Sequence, residues 1–436
     1  MIAEHWKIDK ELIKKANIQE IKGYRKDKGI ASIEINNKEL QPEWYDKRIR
    51  IFTNGYAPEK GSSDCTISKN NNDFKLLEIK NDGISINNFN NIIKDIIHEN
   101  YYEQKQPFFS KSPIPYTIIP VKLRNALFNT LLRLKKDPKW PNWPIEKSVE
   151  LLRYIYIKSI SIKLNKNIPH IGFWPKKKFA FSVTHDCDTL SSFKNIESIR
   201  DIEKKYNINS SWNIVSNRYK IDDKTIKQLK YQHCEIGLHG YNHDNKLAFL
   251  SRKEIKKRLS KASKIISKYN ITGFRSPSLL RNKRFLDTLS EHFEYDSSTC
   301  DTDLHSPVAM RSGTCTIFPF FIRGMTEIPI TMPQDYRLMR MNRTKIQIFN
   351  IWKEKIDFIE KAGGCATLLT HPDSHIFGSD KYLDVYDKIL KYVDKKNSVW
   401  KALPNEISTW WKDRNKAELK GKKIIGLKKA GIEVIR

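Results

Sequence analysis

From Lys178 onward, short apolar runs alternate with longer stretches in which apolar residues recur every three or four positions. The short runs fit strands, and the longer ones fit helices with one buried face. Strands are expected at Phe179-Ala-Phe-Ser-Val, Glu235-Ile-Gly-Leu, Ile271-Thr-Gly-Phe and Cys365-Ala-Thr-Leu-Leu. Helices are expected over 196–206, 222–231, 251–269, 283–293, 345–361 and 381–395. The third opens on Ser251-Arg-Lys-Glu254, a capping box, and keeps Ile255, Leu259, Ala262 and Ile266 on one face. Strand–helix alternation of this kind predicts a parallel sheet. A last helix is expected over 402–411, then a hairpin of 422–427 with 431–435 around Lys428-Lys429.

Upstream the pattern changes. Strands are expected over 30–35, 48–52 and 74–79, with a helix near 88–100. The segment 107–120 holds four prolines and reads as a linker. Two basic amphipathic helices should follow, over 121–135 and from Pro144 to about Leu164. This divides the chain into an α+β unit of unknown role (1–110), a linker with basic helices (111–173), an α/β body (174–412) and a basic tail (413–436).

Chemistry gathers where the predicted strands end. Alternation along the first strand sends Asp186 and Asp188 to one face and His185 and Cys187 to the other. Two carboxylates at the mouth of a buried strand are costly unless they are used. The second strand ends in His239-Gly-Tyr-Asn-His243. A carboxylate and two histidines suit a divalent metal such as zinc, with a coordination position left for water. The third strand ends in Arg275-Ser-Pro277 and the fourth in His371-Pro-Asp373. Polar groups at the C-terminal ends of strands are how α/β barrels build active sites. A metal-assisted hydrolase is the first reading.

The ordered set T-H-D-x-D, H-x-x-x-H, R-x-P and the histidine strand resembles the NodB-like polysaccharide deacetylases, carbohydrate esterase family 4, in a branch with D-x-D in its first motif. The resemblance covers roughly 174–411 and implies a deformed (β/α) barrel behind a smaller α+β N-terminal domain. It implies Zn²⁺ on Asp188, His239 and His243, with Asp186 as general base toward a metal-activated water. Arg275 would orient that base, and His371 would act as general acid toward the departing amine. The family's usual carboxylate motif for this histidine is missing. Asp335 is the first choice for the role, with Asp296 and Asp373 as alternatives. Tyr241, Pro277 and Trp212 are candidate substrate contacts, although Trp212, like Phe274, fits core packing equally well. Cys187, Thr189 and Tyr241 could offer a backbone N–H to an oxyanion. His185, His233, His305 and His375 read as structural, with His375 the reserve acid.

The net charge of +29 points to an anionic partner or to a lysine-rich compositional bias, and the bias is favoured. No nucleic-acid-binding signature, phosphate loop or membrane span is legible, and the N-terminus lacks an apolar signal stretch. A cytoplasmic enzyme acting on an acetylated sugar or glycan precursor is therefore expected, and an anionic precursor would suit the charge. The six scattered cysteines read as buried reduced thiols. Hydrolysis of a non-sugar amide, or a non-catalytic glycan- or anionic-surface-binding role, are the alternatives.

Overall fold

The structure, a computed structural model, describes residues 2–22, 28–54, 60–70, 72–102, 104–106, 111, 140–303, 312–374 and 376–435. The expected linker (apart from Lys111), the expected helix over 121–135, His305 and His375 lie outside the described residues.

The N-terminal part forms a six-stranded sheet in the order β1-β6-β5-β4-β2-β3. Its strands are β1 (Ile18–Ile21), β2 (Lys28–Ile35), β3 (Arg50–Asn54), β4 (Cys65–Lys69), β5 (Asn72–Ile79) and β6 (Ile84–Asn87). Only the β1–β6 pairing is parallel. The helix Phe89–Ile97 buries Ile92, Ile93 and Ile96. Trp140, which lies just ahead of the next helix, stacks on Phe52 and meets Tyr101 edge-on. The helix Ser148–Lys163 carries a buried Arg153–Glu150 pair, and both side chains bond Thr316 Oγ1 at 2.7 Å. One continuous apolar core runs from this N-terminal part into the body.

The body is built on a nine-stranded sheet. β7 (Ile168–Ile171) lies outside the sheet, and β8 (Phe179–Cys187) is a member of it, next to its β15 edge. The others are β9 (Ser210–Ile214), β10 (Glu235–Leu238), β11 (Gly273–Phe274), β12 (Tyr295–Asp296), β13 (Phe320–Ile322), β14 (Met325–Glu327), β15 (Cys365–Thr370) and β16 (Val399–Lys401). Their order is β13-β14-β12-β11-β10-β9-β8-β15, with β16 pairing the first residues of β8. All pairings are parallel except β13–β14. β8 is buried along its whole length, as expected of a strand covered on both faces. Past β14 the chain crosses toward β15, where Met332 N donates to Thr367 O at 3.1 Å. This irregular closure makes a deformed barrel rather than a regular one.

The intervening helices form where the apolar period predicts them, at Ile196–Lys205, Asp223–Tyr231, Arg252–Tyr269, Lys283–Leu289, Lys345–Ala362, Asp380–Asp394 and Pro404–Lys416. In the third, Ser251 Oγ accepts from Glu254 N at 3.3 Å and Glu254 Oε2 accepts from Ser251 N at 3.0 Å. Such a cap contributes ~1 kcal/mol. All six cysteines are buried and free. No described helix is long and apolar enough to cross a membrane.

The tail departs from expectation. The hairpin forms earlier, between β17 (Glu418–Lys420) and β18 (Lys423–Ile425), because Gly421 at φ +58 makes the turn there. Lys429, at φ +66, then redirects the chain, and β19 (Ile432–Ile435) pairs antiparallel with β7. β7 is largely buried and would otherwise leave backbone groups unpaired.

Candidate active site

The C-terminal ends of β8, β10, β11 and β15 converge on one mouth. β8 delivers Asp186 and Asp188, two residues apart and therefore on one face. Immediately after β10 come His239, whose N–H donates to Ile214 O of β9 at 2.8 Å, and the turn to His243. Gly240 takes φ +70 in this turn, and a Cβ there would sit 2.8 Å from Pro277 Cγ. Pro277 is buried and its ring lies against Gly240, so it shapes the segment between the two histidines.

Asp188 Oδ1 lies 3.2 Å from His239 Nε2 and 3.1 Å from His243 Nε2. That buried oxygen accepts no well-formed hydrogen bond, although it is close to both rings. The three donor atoms lie within 4.8 Å of one another. His239 Nδ1 is 3.1 Å from Arg275 O, which as acceptor places the proton on Nδ1 and turns the Nε2 lone pair to Asp188. A carboxylate and two imidazoles aimed at a common point, rather than bonded to each other, fit a divalent cation. Burial opposes ionisation of Asp188, but the adjacent His243 and His239 rings hold its carboxyl well below the usual range.

Asp186 is 2% exposed. Its Oδ1 accepts from Asn213 Nδ2 at 2.9 Å and faces Arg275 Nη1 at 3.6 Å, and its Oδ2 is 3.8 Å from His239 Nε2. Burial works against the charge, yet His239 and Arg275 together keep the carboxyl below its ordinary value. Arg275 is itself enclosed, and its Nη2 donates to Thr184 Oγ1 and Ser297 Oγ, both at 3.1 Å.

Across the mouth, His371 Nδ1 lies 2.8 Å from Asp335 Oδ1, and the His371 amide donates to Asp335 Oδ2 at 2.6 Å. Asp335 is fully buried at the start of the helix Asp335–Arg340. With Nδ1 engaged, Nε2 is the ring nitrogen left for a substrate. Burial disfavours the imidazolium, but Asp335, helped by Asp188 and Asp186, overrides it and raises the pKa to about 10. The other two carboxylates considered for this histidine are occupied elsewhere. Asp373 accepts from Thr189 Oγ1 and Ser191 Oγ, tying the loop after β8 to the one after β15. Asp296 bonds Ser298.

Trp212 is a correction. It is fully buried, its Nε1 donates to Ser210 Oγ at 2.9 Å, and its ring lies 4.1 Å from that of His185. The β8–β9 register pairs it with His185 and so puts it on the face opposite Asp186. There His185 is held between Thr370 Oγ1 and Glu203 Oε1, both at 2.7 Å, in a buried structural network. Phe274 packs on Phe285 and Phe293 in the core. Tyr241 stays half-buried in the turn between His239 and His243, with Lys261 Nζ 5.8 Å from its ring centre.

Asn213 escaped the reading of the sequence. The register that pairs Asp186 with Asn213 brings it to the carboxylate, and Gly237 on β10 clears its path. A Cβ at Gly237 would fall 2.0 Å from Asn213 Oδ1. An asparagine between Trp212 and Ile214, with a glycine in the following apolar run Glu235-Ile-Gly-Leu, was the available signal.

Residues 176–293 match the family model described as Polysaccharide deacetylase. No curated protein matches the chain. Among solved structures, one from Mycobacterium smegmatis assigned as a polysaccharide deacetylase is similar at 17% identity, over 54% of this chain and 91% of that one, with a TM-score of 0.45. Another from Pseudomonas aeruginosa PAO1, with the same assignment, is similar at 16% identity over 55% and 92%, with a TM-score of 0.44. Puue allantoinase is similar at 15% identity over 55% and 92%, with a TM-score of 0.43. The family match spans the segment that holds Asp186, Asp188, His239, His243 and Arg275, while Asp335 and His371 lie downstream of the matched residues.

Proposed function

We propose that this chain is a metal-dependent hydrolase that removes the acetyl group from an N-acetylated sugar or glycan. The observation that carries the reading is one mouth holding three convergent cation ligands, with a guanidinium-backed carboxylate on one side and a carboxylate-backed histidine on the other. A divalent cation on Asp188, His239 and His243, with Zn²⁺ favoured by the two-imidazole, one-carboxylate set, would polarise the acetyl carbonyl and acidify a water.

Asp186 is kept ionised near neutral pH and takes the proton of the attacking water. Asn213 and Arg275 fix the orientation of its Oδ1. His371 carries the opposite task. Asp335 holds it as imidazolium, so its Nε2–H can protonate the amine as the C–N bond breaks. A protonated acid at this place favours an N-acetyl over an O-acetyl substrate, because an amine is the poorer leaving group. Acetate and a free amino sugar are the products. Tyr241, half-buried between the two histidines, is the side chain we assign to the sugar ring.

The purified protein is expected to carry one equivalent of divalent metal and to release acetate from an N-acetylated sugar in proportion to it. Asp188→Ala, His239→Ala and His243→Ala should each lose most of the metal, since three ligands leave little redundancy. Elemental analysis reads this directly, and full occupancy in any one variant removes that residue from the ligand set.

A further inference from the structure

Behind Arg275 the barrel contains an unusual pair of acids. β12 and β14 run parallel, and their register sets Asp296 beside Glu327. Both side chains are fully enclosed, and among the described residues neither forms an ion pair with a lysine or arginine. Two carboxylates in such a place would bear both mutual repulsion and desolvation. Three of their four oxygens accept hydrogen bonds from Ser298 and Thr299. Asp296 Oδ1 accepts from Ser298 Oγ at 2.8 Å and Oδ2 from Ser298 N at 3.0 Å. Glu327 Oε1 accepts from Thr299 N at 2.9 Å and Thr299 Oγ1 at 2.7 Å. The fourth, Glu327 Oε2, is buried and accepts none, so a proton between the two groups fits there. Burial, and then the neighbouring Glu327, push the Asp296 carboxyl well above the usual range, in line with a pair that retains a proton.

The pair pins both ends of the short segment Ser297-Ser298-Thr299, and this segment holds the arginine strand. Ser297 Oγ accepts from Arg275 Nη2 at 3.1 Å while donating to Ile328 O at 2.7 Å. Ser298 Oγ accepts from Ser276 N at 2.8 Å. Both the Arg275 guanidinium and the amide that follows it therefore rest on residues fixed by Asp296 and Glu327.

We propose that Asp296 and Glu327 share one proton and act as a positioning pair, holding Ser297–Thr299 and through it the Arg275 guanidinium against Asp186. The inference rests on the reading of Asp186 as the base. Neither acid touches the reacting atoms.

Glutamine at 327 can reproduce the arrangement, with its oxygen accepting from Thr299 and its amide donating to Asp296. Alanine cannot: it removes the acceptor of Thr299 and the acid beside Asp296. Turnover is to be measured per metal-loaded molecule with the wild type, Glu327→Gln and Glu327→Ala. The alanine variant should lose kcat by ~10²-fold, the scale of a small misplacement, with KM and metal content nearly unchanged, and the glutamine variant should restore kcat. A purely structural role would instead lower the folded fraction and leave kcat per metal-loaded molecule intact. Infrared difference spectra provide a readout independent of activity and of whether the alanine variant folds. The carbonyl band of a protonated carboxyl group should be present in the wild type at neutral pH and vanish equally in Glu327→Gln and Asp296→Asn. No such difference band, a glutamine variant as impaired as the alanine one, or an alanine variant with wild-type kcat would each overturn the proposal. Failure of the deacetylase reading would show separately, as a wild type that releases no acetate, and the infrared result would then decide whether the pair shares a proton.

Discussion

Asp186→Asn is expected to keep its metal and lose ~10²–10⁴-fold in turnover, the usual contribution of a general base. The amide is close in shape to the carboxylate, and its oxygen can still accept from Asn213. It cannot take a proton from water. Asp186 itself can, because His239 and Arg275 outweigh burial and keep it ionised. The substitution also leaves the Arg275 guanidinium without its counter-charge in an enclosed site, retained only by Thr184 and Ser297. A lower melting temperature should accompany the loss of rate, since breaking a buried pair by removing one partner is destabilising. Turnover is therefore measured well below melting, on protein of verified metal content. A near wild-type rate under those conditions would move the base to another residue.

The second large effect is expected at His371. His371→Ala should reduce hydrolysis of an N-acetyl sugar strongly and that of an activated acetyl ester much less, because only the amine needs a proton to leave. The pH profile gives a second readout. The folded-state pKa is raised to about 10, so the protonated acid predominates at neutral pH and activity is lost as pH rises through that value. Bound cation would offset the pull of Asp186 and Asp188 and bring this limb lower. The sign for stability is the same. The pair with Asp335 stabilises the fold fully below the ordinary histidine value of 6.5, and that contribution disappears as pH climbs through the raised one. The alkaline limb should be present in the wild type and absent from His371→Ala. Equal losses on amide and ester would make His371 a binding or shaping residue instead.

Much of this site was legible in the chain because it depends on local rules. Alternation along β8 puts Asp186 and Asp188 on one side whatever the neighbouring strands do. The Gly240 turn brings His239 and His243 together by short-range geometry. Arg275 and His371 follow apolar runs too short to be anything but strands. What stayed hidden depends on register between strands distant in sequence. Asn213 reaches Asp186, Trp212 turns to His185 and Glu327 meets Asp296 only because β8 pairs with β9, and β12 with β14, in one particular alignment. The choice among Asp335, Asp296 and Asp373 for His371 had the same character, since it turns on which loop end lies beside β15. The tail failed for a related reason: β18 and β19 look alike in sequence, and β19 pairs instead with β7, more than two hundred residues upstream.

The central claim, that a cation held by Asp188, His239 and His243 serves hydrolysis of an acetylated sugar, is tested most directly by measuring acetate release. The substrates are a panel of N-acetylated sugars, nucleotide sugars and oligosaccharides, each assayed with native protein, with chelated protein and with chelated protein resupplied with Zn²⁺. The account predicts release from at least one N-acetylated member, its loss on chelation and its return with the metal. Release that chelation leaves untouched, or a metal-replete protein that frees no acetate from any member, would contradict it.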